Sequence, residues 1–208
     1  MDGGTAIDLS PERRGRLNSI LDGCFWNACF IDEQARMGIV IVELVGVLFE
    51  GQRMGDAYPV VMICYPVCRV AASYKVDGSL RALDLRDINT ALHDFSFKEI
   101  DDWDIIDPPA SQRFRWRKDL SLDVNLGECA DTHILEMWQD DGSFQTFNLA
   151  IWFQKLFLFD AHLNPLTLDD LERARRKRRE VNSDLGWRRI ATVPAFSIED
   201  LLHKIRCE

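Results

Sequence analysis

The spacing of apolar positions changes character along this chain and marks out its elements. Between Ser10 and Gly23, Leu17, Ile20 and Leu21 fall on one side while Arg13, Arg14 and Arg16 fall elsewhere, the pattern of an amphipathic helix of about three turns. Ser10 supplies a cap, Pro11 suits the first helical position, and Gly23 offers a stop. From Phe25 onward the period moves toward two and toward continuous runs rich in Val, Ile and Phe, which predicts strands. Gly38 to Glu50 is apolar on both parities apart from Glu43, so it reads as a central strand covered on both faces, with a bulge at Gly46 and a polar turn over 51–56. Tyr58 to Tyr74 predicts a second strand or strand pair. Pro66 cannot donate to a ladder and therefore belongs at an edge, a bulge or a break. Asp77-Gly78 is a hairpin turn signal.

Arg86 to Leu92 reads as a short helical turn or loop. Alternation resumes at Phe95-Ser96-Phe97 and slips phase at Glu99-Ile100, which suggests a bulge, and Asp107-Pro108-Pro109 is a loop. Leu120, Leu122, Val124 and Leu126 alternate with Ser121, Asp123 and Asn125, predicting a half-buried strand. His133–Trp138 and Phe144–Phe159 flank Asp140-Asp141-Gly142-Ser143 and predict a hairpin whose second arm turns Phe147, Leu149, Ile151, Phe153, Phe157 and Phe159 to one side, Lys155 being the exception. Thr167-Leu168-Asp169-Asp170 matches a capping box with Asp in place of Glu and opens a helix to about Val181; Ser197-Ile198-Glu199-Asp200 repeats the signal before Leu201, Leu202 and Ile205.

The expected fold is α+β: a predominantly antiparallel β sheet or sandwich flanked by N- and C-terminal helices, in a single domain over 1–208 with a helical segment over 165–208. Leu21-Asp22-Gly23 and Leu92-His93-Asp94 precede the β blocks 24–75 and 95–160, a hint of duplication. Composition agrees with a folded globular protein, at 47% hydrophobic and 28% charged, which excludes collagen-like, coiled-coil and disordered classes. A chain of 208 residues buries roughly 70% of its unfolded surface without needing a disulfide or metal. The N-terminus has no basic region followed by an apolar core, and no apolar run reaches a membrane span, so the expected location is cytoplasmic with no membrane partner.

Charge carries the functional expectation. Residues 1–166 hold 15 basic and 26 acidic side chains, net −11, whereas residues 167–190 hold 8 and 5, net +3. An acidic body repels polyphosphates and steers basic proteins toward itself in a salt-dependent way. The segment Glu99–Asp107 concentrates that charge. An acidic binding surface is expected from Asp101, Asp102, Asp104, Asp140 and Asp141, with Trp103 and Trp138 as aromatic anchors. The opposite pole is Arg173, Arg175, Arg176, Lys177, Arg178 and Arg179, which surround most of a helix and leave Leu168, Leu171 and Ala174 to touch the protein. It reads either as a solvated helix end, where the dipole favours cations, or as a contact for nucleic acid. Phe114-Arg115-Trp116-Arg117 is read as aromatics facing the core and cations facing water, with base stacking as the competing reading.

The chain carries no Gly-rich nucleotide loop and no serine-hydrolase elbow. No cofactor, no metal site and no catalytic residue is expected. Of six cysteines, Cys64 and Cys68 would stand roughly 13 Å apart on a regular strand, too far to grip one ion, and all six read as buried thiols in a reducing compartment. The leading expectation is a non-enzymatic binding protein, an inhibitor or immunity-type antagonist of a basic partner. The alternatives are a hydrolase or transferase using Cys24 and His93, or a metal held by the acidic cluster, and a nucleic-acid accessory protein using the basic helix.

Overall fold

The computed structural model of the protein describes residues 5–22, 24–44, 58–94, 102–107, 118–130, 132–140 and 144–181. Among these, nine strands form one antiparallel sheet accompanied by three α-helices. In chain order the strands are β1 (Phe25–Asp32), β2 (Met37–Leu44), β3 (Tyr58–Val76), β4 (Ser79–Leu80), β5 (Asp102–Ile106), β6 (Leu122–Asn125), β7 (His133–Asp140), β8 (Thr146–Phe159) and β9 (Pro165–Leu166). The helices are α1 (Pro11–Leu21), α2 (Ile88–Asp94) and α3 (Leu168–Val181). The spatial order is β1-β2-β3-β8-β7-β5, with β4 and β6 paired to β3 and β9 to β8. A second sheet, as a sandwich would need, does not occur among the described residues.

The long strands β3 and β8 form the spine, in register from Val61↔Phe159 to Lys75↔Thr146. One face of the sheet buries Val40, Val42, Met62, Val70, Leu135, Met137, Leu149 and Ile151 against Leu17 and Leu21 of α1, Ile88 and Leu92 of α2, and Leu168 and Leu171 of α3. Each fully buried aliphatic side chain there contributes about 1.5–3 kcal/mol. β2 is buried on both faces as its unbroken apolar run predicts, since Ile39 and Ile41 pack on the other side with Val61, Ile63 and Phe157.

Pro66 does not mark an edge. β3 is paired on both sides, and the proline falls between the stretch bound to β2 (58–64) and the stretch bound to β6 (69–72), where no ladder donor is required of it. The register with β8 runs unbroken through Pro66, from Tyr65↔Lys155 to Val67↔Phe153, and shifts only between Val67 and Arg69, so the bulge lies past the proline. β8 changes phase opposite Tyr65 and Pro66. Its apolar alternation holds from Phe147 to Phe153 and then changes phase, with Leu156 and Leu158 joining Phe153 in the main core and Phe157 turning to the opposite face.

Local signals elsewhere act as their chemistry dictates. Asp77 (φ 51°) and Gly78 (φ 72°) form the two-residue turn between Val76 and Ser79. Before β6 the contact with β3 continues at Ser121, whose N–H donates to the Ala72 carbonyl at 2.8 Å and whose hydroxyl accepts from Tyr74 N–H at 2.8 Å. At the start of α3, Asp170 N–H donates to Thr167 Oγ1 at 3.2 Å and Thr167 N–H to Asp170 Oδ2 at 2.9 Å, a reciprocal capping box. The expected bulges at Gly46 and Glu99-Ile100, the turn over 51–56, the aromatic-basic run 114–117 and the helix after Ser197 lie outside the described residues.

Candidate protein-binding surface

The sheet order puts β5 at the end of the sheet, where among the described residues it pairs with β7 alone. Its alternation is strict. Trp103 and Ile105 point into the main core at 8% and 1% exposure, and the Trp103 indole N–H donates to the Leu21 carbonyl at 3.0 Å. Trp103 is therefore a core residue anchored under α1 and not the surface anchor expected from the sequence; the period of two that places Asp104 outside sends its neighbours in. The outward-pointing backbone of Ile105 meets the side-chain amide of Asn18, which lies on α1.

On the opposite face the register builds rows across four strands. Asp102 stands opposite Trp138, which stands opposite Asn148, and Asn148 opposite Ser73. Asp104 stands opposite Glu136, then Ala150, then Ala71. Ile106, Ile134, Trp152 and Arg69 form the third row. Trp138 is 42% exposed and Asp140, two residues further along β7, is exposed on the same side. Asp104 and Glu136 are half-buried. Glu136 escaped the sequence reading because it carries no local motif; only strand register puts it beside Asp104. Asp101 and Asp141 lie outside the described residues.

The third row closes the far side. Arg69 lies 4.8 Å over the Trp152 ring and forms a bidentate pair with Asp123 at 2.7 Å for both bonds. The hydrogen bond to Asp123 holds the guanidinium pKa above its ordinary value, outweighing the effect of burial. Ala71, Ala150, Asn148 and Ser73 form a buried floor between this pair and the carboxylates.

The basic helix is divided in role. Leu168, Leu171 and Ala174 are buried as expected. Arg175 Nη1 donates to Ser19 Oγ at 2.9 Å, Glu172 pairs bidentately with Arg16 of α1, and Arg176 reaches the same carboxylate at 3.6 Å. These residues line a groove of about 500 Å³ between α1 and α3. Arg173 pairs with Asp170 at 3.5 Å. Lys177, Arg178 and Arg179 belong to the helical span.

The two residues proposed for an enzyme differ in access. Cys24 is 2% exposed, while His93 is exposed on α2. Among the described residues no three His, Cys, Asp or Glu side chains are grouped as metal ligands. A different histidine is oriented: His133 Nδ1 lies 2.9 Å from Asp107 Oδ1, and Arg14 binds the same carboxylate oxygen. Burial pushes the Asp107 carboxyl up, but hydrogen bonds from Arg14 and His133 bring it below its ordinary range. The cysteine reading needs correction. Cys24, Cys29 and Cys64 are buried thiols, whereas Cys68 and Cys129, 61 residues apart, are joined in a disulfide with Cα atoms 5.8 Å apart. Sequence spacing could not show this, because β6 carries Cys129 back alongside β3. No family model, no curated protein and no solved structure matches this chain.

Proposed function

We propose that this chain is a non-enzymatic binding protein whose acidic sheet edge engages a basic macromolecular partner, in the manner of an inhibitor or immunity-type antagonist. The observation that supports the reading is one patch: Trp138, 42% exposed, opposite Asp102 and on the same side as Asp140, beside the facing pair Asp104 and Glu136. An exposed aromatic among carboxylates offers an anchor whose burial contributes affinity, while the charges contribute rate and selectivity. The −11 of residues 1–166 adds long-range steering of the same sign. The same proposal takes the sheet to be flanked by helices at both ends of the chain and gives the protein a cytoplasmic location; among the described residues no helix is long and apolar enough to cross a membrane.

The test is capture by the tagged full chain at low and high salt, alongside the Asp102→Asn/Asp104→Asn/Asp140→Asn variant. One basic protein bound near one-to-one, weakened by salt and lost with the variant, is the expected result. Retention by the variant at unchanged strength overturns the surface. Capture of RNA or DNA that vanishes in Arg173→Ala/Arg176→Ala turns the reading to the basic helix instead.

A further inference from the structure

We propose that Cys68 and Cys129 form a reversible thiol–disulfide exchange site, opened by a dithiol reductant, in which Arg36 supports the Cys129 sulfur when it leaves. The two cysteines differ in access. Cys68 lies in β3 at 6% exposure, whereas Cys129 is half-buried in the loop that follows β6. The Arg36 guanidinium is fixed against that loop: Nη2 donates to the Cys129 sulfur at 3.4 Å and to the Glu128 carbonyl at 3.0 Å, and Nε donates to the Val67 carbonyl at 3.1 Å. The Arg36 carbonyl in turn accepts from Val67 N–H at 2.6 Å, which ties the β1–β2 turn to β3. Gly127, at φ +132°, leaves room for the guanidinium, since a Cβ there would lie 3.1 Å from Arg36 Cζ. Each acceptor named is neutral, so the positive charge beside Cys129 is not cancelled by them. A cation at hydrogen-bond range favours a thiolate and makes it a better leaving group.

Two of the other described thiols are built oppositely. Cys29 and Cys64 are buried at 1% and 0% exposure, and burial pushes the Cys29 thiol up to about 12 and the Cys64 thiol higher still. They lack both access and thiolate character.

The exchange runs as two displacements. A thiolate of the reductant attacks the accessible Cys129 sulfur, the Cys68–Cys129 bond breaks, and its electron pair leaves on Cys68, which takes a proton. The reductant's second thiol then attacks its own sulfur in the mixed disulfide and releases Cys129, to which Arg36 donates. Two electrons pass to the protein, whose cysteines become thiols, and the dithiol becomes a disulfide. The loop over 126–130 then loses its covalent tie to β3.

The test is thiol trapping on the full chain. After exposure to glutathione disulfide, peptide mapping should find Cys68 joined to Cys129 and the other four cysteines free. Millimolar dithiothreitol should then open the bond in folded protein with an unchanged far-UV circular dichroism spectrum, Cys29 and Cys64 staying unalkylated until the protein is unfolded. Arg36→Met should slow release of Cys129 from the mixed disulfide by roughly three- to ten-fold, with Arg36→Lys recovering part of the rate. Six free thiols under oxidant, a different pairing, or opening only on unfolding overturns the site. An unchanged rate in folded Arg36→Met overturns the role of Arg36; where that variant does not fold, the wild-type trapping decides.

Discussion

The side-chain amide of Asn18 binds the backbone of Ile105 in both directions, its Oδ1 accepting from Ile105 N–H at 3.2 Å and its Nδ2 donating to the Ile105 carbonyl at 3.3 Å. Asn18 thus stands in for a neighbouring strand at the outer edge of β5. An edge strand with open donors and acceptors invites pairing with another chain, and covering those groups with a helix is one way such pairing is blocked. The acidic face of β5 can then stay available without the strand's backbone recruiting partners of its own.

Replacing Asn18 with Leu removes two hydrogen bonds to a part-buried backbone, each with a net contribution of about 0.5–1.5 kcal/mol. The expected loss is therefore about 1–3 kcal/mol by urea unfolding. Size-exclusion chromatography at rising concentration should also show association, because Ile105 regains an unpaired edge. A variant of wild-type stability that remains monomeric means that α1 does not protect this strand.

Asp107 gives the stability a defined pH dependence. Burial raises its pKa, yet the bonds from Arg14 and His133 leave it net lowered in the folded state. A carboxylate with a depressed folded value contributes stability above its unfolded value, about 3.9, and that contribution disappears as pH falls through the folded value. Wild type should exceed Asp107→Asn in stability at pH 5, and the gap should close below about pH 4. The Asp107 side chain is 45% exposed, so the gap is small. A gap that widens in acid contradicts the assignment.

The Thr167–Asp170 capping box should behave as a unit. Hydrogen bonds from the Thr167 hydroxyl and then its backbone N–H lower the Asp170 carboxyl despite partial burial. Thr167→Ala is expected to cost about 1 kcal/mol, within the range of cap losses, and to loosen α3 first. Combined with Asp170→Ala it should cost less than the sum of the single changes, since each already removes the reciprocal bonds. Strict additivity in a double-mutant cycle rules the box out.

What could be read in the sequence was local. The helix from Pro11, the turn at Asp77-Gly78, the Thr167 cap and the doubly buried β2 depend on neighbours within a few positions, where period and side-chain chemistry suffice. The acidic strand was legible as charge, but its place at the sheet end was not, because strand order comes from distant pairings. Trp103 and Asp104 show the limit: adjacent residues in one acidic run face opposite sides, and only the packing of Trp103 beneath Leu21 fixes which. Glu136 beside Asp104, His133 beside Asp107 and Cys68 bonded to Cys129 join residues 26 to 61 positions apart, beyond any local sequence window.

Trp138 separates a binding surface from a merely solvated edge. Its partners in register are Asp102 on one side and Asn148 on the other, and it remains 42% exposed, so little of the core rests on it. Trp138→Ala should leave stability within about 0.5 kcal/mol of wild type, as is usual for surface changes. If the ring anchors a basic partner, the same substitution should weaken binding by about 2 kcal/mol or more, mainly through faster dissociation. Asp140→Asn, changing charge alone on the same face, should instead slow association and flatten its salt dependence. The two signatures are separable by surface-based kinetics at several salt concentrations. Loss of stability in Trp138→Ala with unchanged dissociation identifies the tryptophan as a packing residue, and the acidic edge then lacks its anchor.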